Sequence, residues 1–255
     1  MDWQTRRKIM YALATVITLG AVAVYMLRDT LFPEPTCFDK KQNGYEVAVD
    51  CGGICSLRCS SEVAPLTVLW SQAIKTTKVS YDLVAMVSNK NIDNASKDIS
   101  YTFTVYNKQG SVIGEIKGQT LAPVDGDFPI IKQSVAIPEE PYKVTLQIED
   151  GAHYKVHEKP TSPTLRIANE RYEQGTIPRV YATIMNTKRT TVVDLPIRVV
   201  LFDENNNAYA VGETFVPRLD KEEIKDISFT WDMPLPFSPT RIRVYPIFDP
   251  FVAIE

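Results

Sequence analysis

Tyr101-Thr102-Phe103-Thr104-Val105-Tyr106-Asn107 decides the fold, and Ile197-Arg198-Val199-Val200-Leu201-Phe202-Asp203 repeats it 96 residues later. In an extended chain, side chains alternate between two faces. Tyr101, Phe103 and Val105 therefore share one face, and Thr102, Thr104 and Tyr106 the other. That is the pattern of a half-buried strand. A turn follows each copy, Asn107-Lys108-Gln109-Gly110 in the first and Asp203-Glu204-Asn205-Asn206 in the second. Asn, Asp and Gly are the residues that turns select.

The likeness extends in both directions. Upstream, Val84-Ala85-Met86-Val87-Ser88-Asn89 matches Ala182-Thr183-Ile184-Met185-Asn186, with an offset of 97 at the asparagine. Downstream, Thr120-Leu121-Ala122-Pro123 matches Thr214-Phe215-Val216-Pro217, offset by 94. A period near 95 residues exceeds that of solenoid repeats and indicates a duplicated domain. Each copy holds about seven short alternating runs. Ile227-Ser228-Phe229-Thr230-Trp231 is another. Strands spaced by 8–12 residues predict a β-sandwich with polar outer faces. The expected fold class is all-β: two tandem immunoglobulin-like β-sandwiches after an N-terminal transmembrane helix and a small disulfide-rich module. The boundaries are 1–8 cytoplasmic, 9–27 transmembrane, 28–61 Cys-rich spacer, 62–158 first sandwich and 159–255 second. The junction near 151–163 contains Lys159-Pro160-Thr161-Ser162-Pro163. Two prolines stiffen it, which predicts sandwiches set end to end.

The motif of Asn, apolar strand, Tyr or Phe, Asp or Asn, then Gly and Pro resembles the FxLYD-type and related immunoglobulin-like adhesion folds of bacterial envelope proteins. Val105-Tyr106-Asn107 and Leu201-Phe202-Asp203 carry it, over about 60 residues of each copy. The layout also resembles single-pass membrane proteins of small-genome bacteria. The motif is mostly structural, and the likeness carries no established activity.

Arg6, Arg7 and Lys8 precede an uncharged run from Ile9 to Leu27. Nineteen helical residues span about 28 Å, near the thickness of a bilayer's hydrocarbon core. Three basic residues stand before the run, against a balanced Arg28-Asp29 after it. The positive-inside rule therefore holds the N-terminus in the cytoplasm and exports the bulk of the chain. Trp3 marks the interface. Ala21-Val22-Ala23 offers the competing reading of a cleaved secretory signal. Both readings export the remainder.

All four cysteines, Cys37, Cys51, Cys55 and Cys59, fall within 23 residues of that exported segment. An even, clustered set outside the cytoplasm predicts two disulfides with three possible pairings. Zinc is the rival, although paired CxxC knuckles are missing. Thr36-Cys37-x-Asp39, Asn43-Gly44-x-Glu46 and Val49-Asp50-Cys51-Gly52-Gly53-x-Cys55 resemble C-x-D-x-x-x-N-G-x-E-x-x-x-D-C-G-G-x-C modules of bacterial surface proteins. The resemblance implies an extracytoplasmic spacer. Asp39, Asn43, Glu46 and Asp50 are either turn caps or a weak calcium site.

The usual chemical signatures are missing. The 28 basic and 31 acidic residues leave no broadly basic face for nucleic acid. His153 and His157 would sit about 13 Å apart on one strand face, too far for one metal ion. There is no Gly-x-Ser-x-Gly elbow and no phosphate-binding glycine loop. Glu139-Glu140 and Glu222-Glu223 read as solvated pairs. No catalytic, cofactor-binding or metal residue is assigned, and no enzyme activity is expected. Trp70, Trp231, Tyr245 and Phe248 are candidates for a carbohydrate- or peptide-binding surface, with core packing as the alternative. The apolar close from Phe248 to Ile254 completes an edge strand or docks on a partner. The expected function is membrane-anchored display of the sandwiches to a protein or cell-wall partner, with the lipid bilayer engaged through Ile9 to Leu27. The alternative is an accessory subunit of a surface, pilus or secretion assembly.

Overall fold

The structure, a computed structural model, describes residues 3–28, 36–149, 153–155 (backbone only), 165–187 and 190–249. The chain divides into two compact units, Met1–Cys55 and Ser56–Glu255.

The first unit contains α1 (Trp3–Met26), a helix with mean hydropathy 2.0 and no buried residue. The hydroxyls of Thr15 and Thr18 donate to the carbonyls of Tyr11 and Ala14, so these two polar groups are satisfied within the helix. At 24 residues it is about 36 Å long, enough to cross a bilayer. Beyond it, Cys37 is bonded to Cys55, and Ala48 bridges Cys51 across a tight turn. Gly53 is required there. Its φ is +59°, and a Cβ would lie 1.8 Å from the Tyr45 carbonyl oxygen.

The second unit is all β apart from a 3-10 turn at Ser60–Glu62. Its strands are β1 (Thr67–Lys75), β2 (Ser80–Asn89), β3 (Asn94–Tyr106), β4 (Val112–Ala122), β5 (Gly126–Ala136), β6 (Lys143–Ile148), β7 (His153–Lys155), β8 (Leu165–Glu173), β9 (Arg179–Asn186), β10 (Val192–Phe202), β11 (Ala208–Leu219), β12 (Ile224–Thr230) and β13 (Arg241–Pro246). They form four small antiparallel sheets: β1-β2-β5, β4-β3-β6, β8-β9-β12 and β11-β10-β13. β7 continues the pairing of β6 along β3 in the same register.

The first two sheets and the last two have the same strand order, and finer details coincide. A bulge separates Val105 from Tyr106 in one and Leu201 from Phe202 in the other. The following hairpin closes by Asn107 N–H to Ser111 in one and Asp203 N–H to Asn207 in the other. Gly110 and Asn206, the left-handed residues of these turns, occupy matching places. Asn89 and Asn186 end β2 and β9 with their amides buried. Asn89 donates to the carbonyls of Asn94 and Pro123, and Asn186 to those of Thr190, Leu219 and Asp220. Each amide thus ties a strand end to the neighbouring sheet's turns.

Each half encloses one core. Leu83, Ala85 and Val87 of β2 and Phe128 and Ile130 of β5 meet Tyr101, Phe103 and Val105 of β3. Val180, Ala182 and Ile184 of β9 meet Ile197, Val199 and Leu201 of β10. A third cluster lies between the halves. It joins Ile74, Val84, Met86 and Ile131 to Val200, Phe202, Ala208 and Val211. These residues project from the outer faces of β1-β2-β5 and β11-β10-β13, so β2 and β10 are buried on both sides. The two halves pack sheet against sheet. The end-to-end arrangement expected from the prolines is therefore incorrect, and the junction around 156–163 lies outside the described residues. The physical reason is that two apolar outer faces gain more by covering each other than by facing water.

Arg198 also points into this contact, donating to the Pro129 carbonyl at 2.7 Å and pairing with Glu213 at 2.7 Å. The Gln72 amide donates to the Ala208 carbonyl. Ile247, beyond β13, enters the first half's core while its N–H bonds Pro196.

Met86→Ala should cost about 2–4 kcal/mol, as a core truncation does, although Met86 faces away from its own core. Thr104→Ala, on the solvated outer face of β3, should stay within about 0.5 kcal/mol. Urea unfolding of the full chain in detergent checks both. Asn186→Ala should lose at least about 2 kcal/mol in the same assay, because three carbonyls lose their donor. Asn186→Asp should fail likewise, since a carboxylate cannot donate.

Candidate functional site

β1 carries a bulge between Val68 and Trp70. Without it, these two side chains would share a face. With it, Val68 packs on the first core while Trp70 turns outward to the cluster between the halves. There Trp70 meets Phe202 edge-on, with ring centroids 6.4 Å apart at 82°. From the opposite side β13 presents Arg241, Arg243 and Tyr245 on one face by strand alternation. The Arg241 guanidinium lies 4.4 Å over the Phe202 ring. These groups line an open cleft of about 660 Å³ with Gln72, Asp127 and Asn206. Burial pushes the Tyr245 phenol up from its ordinary pKa. The Arg243 and Arg241 cations pull it back, and the Asp127 carboxylate adds to the rise. The phenol thus feels both cations and the acid at once.

A second cleft, of about 290 Å³, also lies between the halves and is lined in part by Asp82, Ser134, Tyr209 and Trp231. Asp82 is 4% exposed and sits at a bulge between Tyr81 and Leu83, where Ser134 donates its N–H at 2.8 Å. Burial raises the carboxyl above its ordinary value, partly offset by the Ser134 N–H and the Gln133 side chain. The Trp231 indole donates to the Val211 carbonyl and its ring packs on the second core.

Of the four aromatic candidates, the structure brings Trp70 and Tyr245 together. Trp231 lies at the second cleft, and Phe248 packs on the second core. Residues 250–254 of the apolar close lie outside the described residues. Sequence reasoning missed Arg241, Arg243 and Asp127. An Arg-Ile-Arg-Val-Tyr alternation that puts both arginines and Tyr245 on one face was the available signal.

Cys51 and Cys59 are disulfide-bonded, like Cys37 and Cys55, so no cysteine is free. Glu46 lies near the Cys37 and Cys55 sulfurs, but disulfide sulfurs are not thiolate ligands. The acidic residues of the module act as turn caps. Asp39 accepts from the Lys41 N–H and the Asn43 amide, and Asp50 from the Lys40 N–H. Glu46 accepts from the N–H groups of Asn43 and Asp50. Asn43 holds Asp39 below the usual carboxylate range. Glu139 accepts from Asn107, and Glu223 caps the Asp220 N–H. His153 lies in β7, and His157 is outside the described residues.

No family model matches the sequence, and no curated protein does. Among solved structures, red sea bream transglutaminase aligns over 78% of this chain and 30% of its own, at 9% identity and TM-score 0.24. The tandem CBM22-1-CBM22-2 domain of Paenibacillus barcinonensis Xyn10C aligns over 72% of this chain and 90% of its own, at 8% identity and TM-score 0.16. Both scores are too low to bear on fold or function.

Asp82 yields a pH test. Its folded-state pKa is raised, so the folded form takes up the proton first. The resulting stabilisation is present in full below the unfolded value and lost as pH rises through the folded one. Ionising this carboxyl therefore costs the folded form stability. Asp82→Asn, which keeps an acceptor for Ser134, should raise stability at pH 7, and the gain should shrink towards pH 4. Thermal unfolding at stepped pH reads both.

Proposed function

We propose that this chain is a non-enzymatic, membrane-anchored protein that displays two tandemly duplicated β domains outside the cytoplasm to a protein or cell-wall partner. One observation carries the reading: an apolar helix with no buried residue, succeeded by a disulfide-bonded module. A helix that is apolar all round and covers nothing needs a lipid environment. Persistent disulfides belong to oxidising compartments. Arg6, Arg7 and Lys8 set the N-terminus in the cytoplasm. The matching strand orders, bulges and buried asparagines of the two halves support duplication. The FxLYD-type resemblance belongs to the same reading. Two domains packed sheet on sheet present one continuous surface to a partner.

Protease treatment of intact spheroplasts should degrade the β domains and spare an N-terminal tag. The intact mass should retain residues 1–8, and should shift by four protons on reduction, one pair for each of two disulfides. A protected β region with an exposed tag would overturn the orientation. Loss of the first residues up to Ala23 would replace the anchor by a cleaved signal.

A further inference from the structure

The cleft that joins Trp70 to β13 has a composition that packing alone does not require. Arg241 and Arg243 stand on one strand face about 7 Å apart. Neither guanidinium enters an ion pair or a hydrogen bond with a described residue. Both are exposed, and Arg241 is propped on the Phe202 ring. The one acid lining the cleft among the described residues is Asp127, so the wall carries a surplus of positive charge. Guanidinium groups form planar forks that match the oxygens of a carboxylate or a phosphate. Trp70, re-aimed by the bulge, supplies an apolar ring. Around it lie Asp127, the Asn206 amide and the Gln72 oxygen, the last held by the bond of its own nitrogen to Ala208. The volume falls within the ~300–1,000 Å³ of small-ligand sites.

The geometry points to a binding site for an acidic saccharide between the two halves. A sugar ring has an apolar C–H face and a rim of hydroxyls that both donate and accept. The Trp70 ring covers the first, and Asp127, Asn206 and Gln72 serve the second. The carboxylate or phosphate of the saccharide takes Arg241 and Arg243. A peptide of apolar residues would leave these polar groups without partners, which is costly. This site rests on the proposed display only for where its ligand is met.

The test uses the full chain in a sugar-free non-ionic detergent, titrated calorimetrically with trigalacturonate, glucose 6-phosphate, neutral trigalactose, inorganic phosphate and a tri-glutamate peptide. At least one acidic saccharide should bind ten times more tightly than trigalactose, with affinity falling as salt rises. Preference for trigalacturonate identifies a carboxylate source, and preference for glucose 6-phosphate a phosphate source. Arg243→Gln, on an exposed side chain, should weaken binding at least fivefold without moving the unfolding midpoint. Trp70→Phe should weaken saccharide binding and leave inorganic phosphate unchanged. The site is overturned if neither acidic saccharide binds, if Arg243→Gln has no effect, or if phosphate or the peptide binds as tightly. Failure here with the β domains accessible outside the cell refutes the site and leaves the display reading. β domains found inside refute the display reading whatever the titrations give.

Discussion

The contact between the outer faces of two sheets organises the whole β unit. An isolated three-stranded sheet pair needs one buried face per sheet. Here β2 and β10 bury both faces, one in the core of their own half and one against the other half. Val84, Met86, Val200 and Phe202 are therefore as important to the fold as Leu83 or Leu201. The clefts lie between the halves because that contact is there. Trp70 reaches one of them through a backbone bulge, and Asp82 reaches the other from the same sheet face.

The contact is asymmetric. The outer face of the first sheet of one half meets that of the second sheet of the other half. Repeated without limit, such a heterologous contact would build an open stack. The corresponding outer faces of the other two sheets differ in polarity. Where β10 carries Arg198, Val200 and Phe202, β3 carries Thr102, Thr104 and Tyr106. Where β2 carries Val84 and Met86, β9 carries Tyr181 and Thr183, and Thr183 bonds Asp226 and the Asn169 amide in solvent. Two halves with nearly the same internal registers thus differ chiefly in which outer face is apolar.

Much of this was legible in the sequence. Alternation at Tyr101–Tyr106 gave β3, and the Asn107 and Asp203 turns gave the hairpins. The paired asparagines at 89 and 186 marked equivalent strand ends. What the reading missed has physical causes. Leu83-Val84-Ala85-Met86-Val87 and Val199-Val200-Leu201-Phe202 do not alternate, and continuous apolar runs mean burial on both faces. Two prolines in the junction point the other way, but they constrain a linker's stiffness and not the affinity of the domains it joins. The bulge at Trp70 leaves no mark in composition, so alternation alone gives this tryptophan no direction. The Cys37–Cys55 bond was one of three possibilities that spacing does not separate. The carboxylates of the module read as turn caps or as calcium ligands, and their N–H partners account for the first role.

Methyl NMR tests the central claim most directly. With methyl-labelled Met, Ile and Val in the full chain, nuclear Overhauser effects should connect Met86 or Ile131 of the first half to Val200 or Val211 of the second. The same methyls should be protected from a soluble paramagnetic probe. Cross-peaks confined within each half, with Met86 and Val200 broadened by the probe, would contradict sheet-on-sheet packing and the clefts that depend on it.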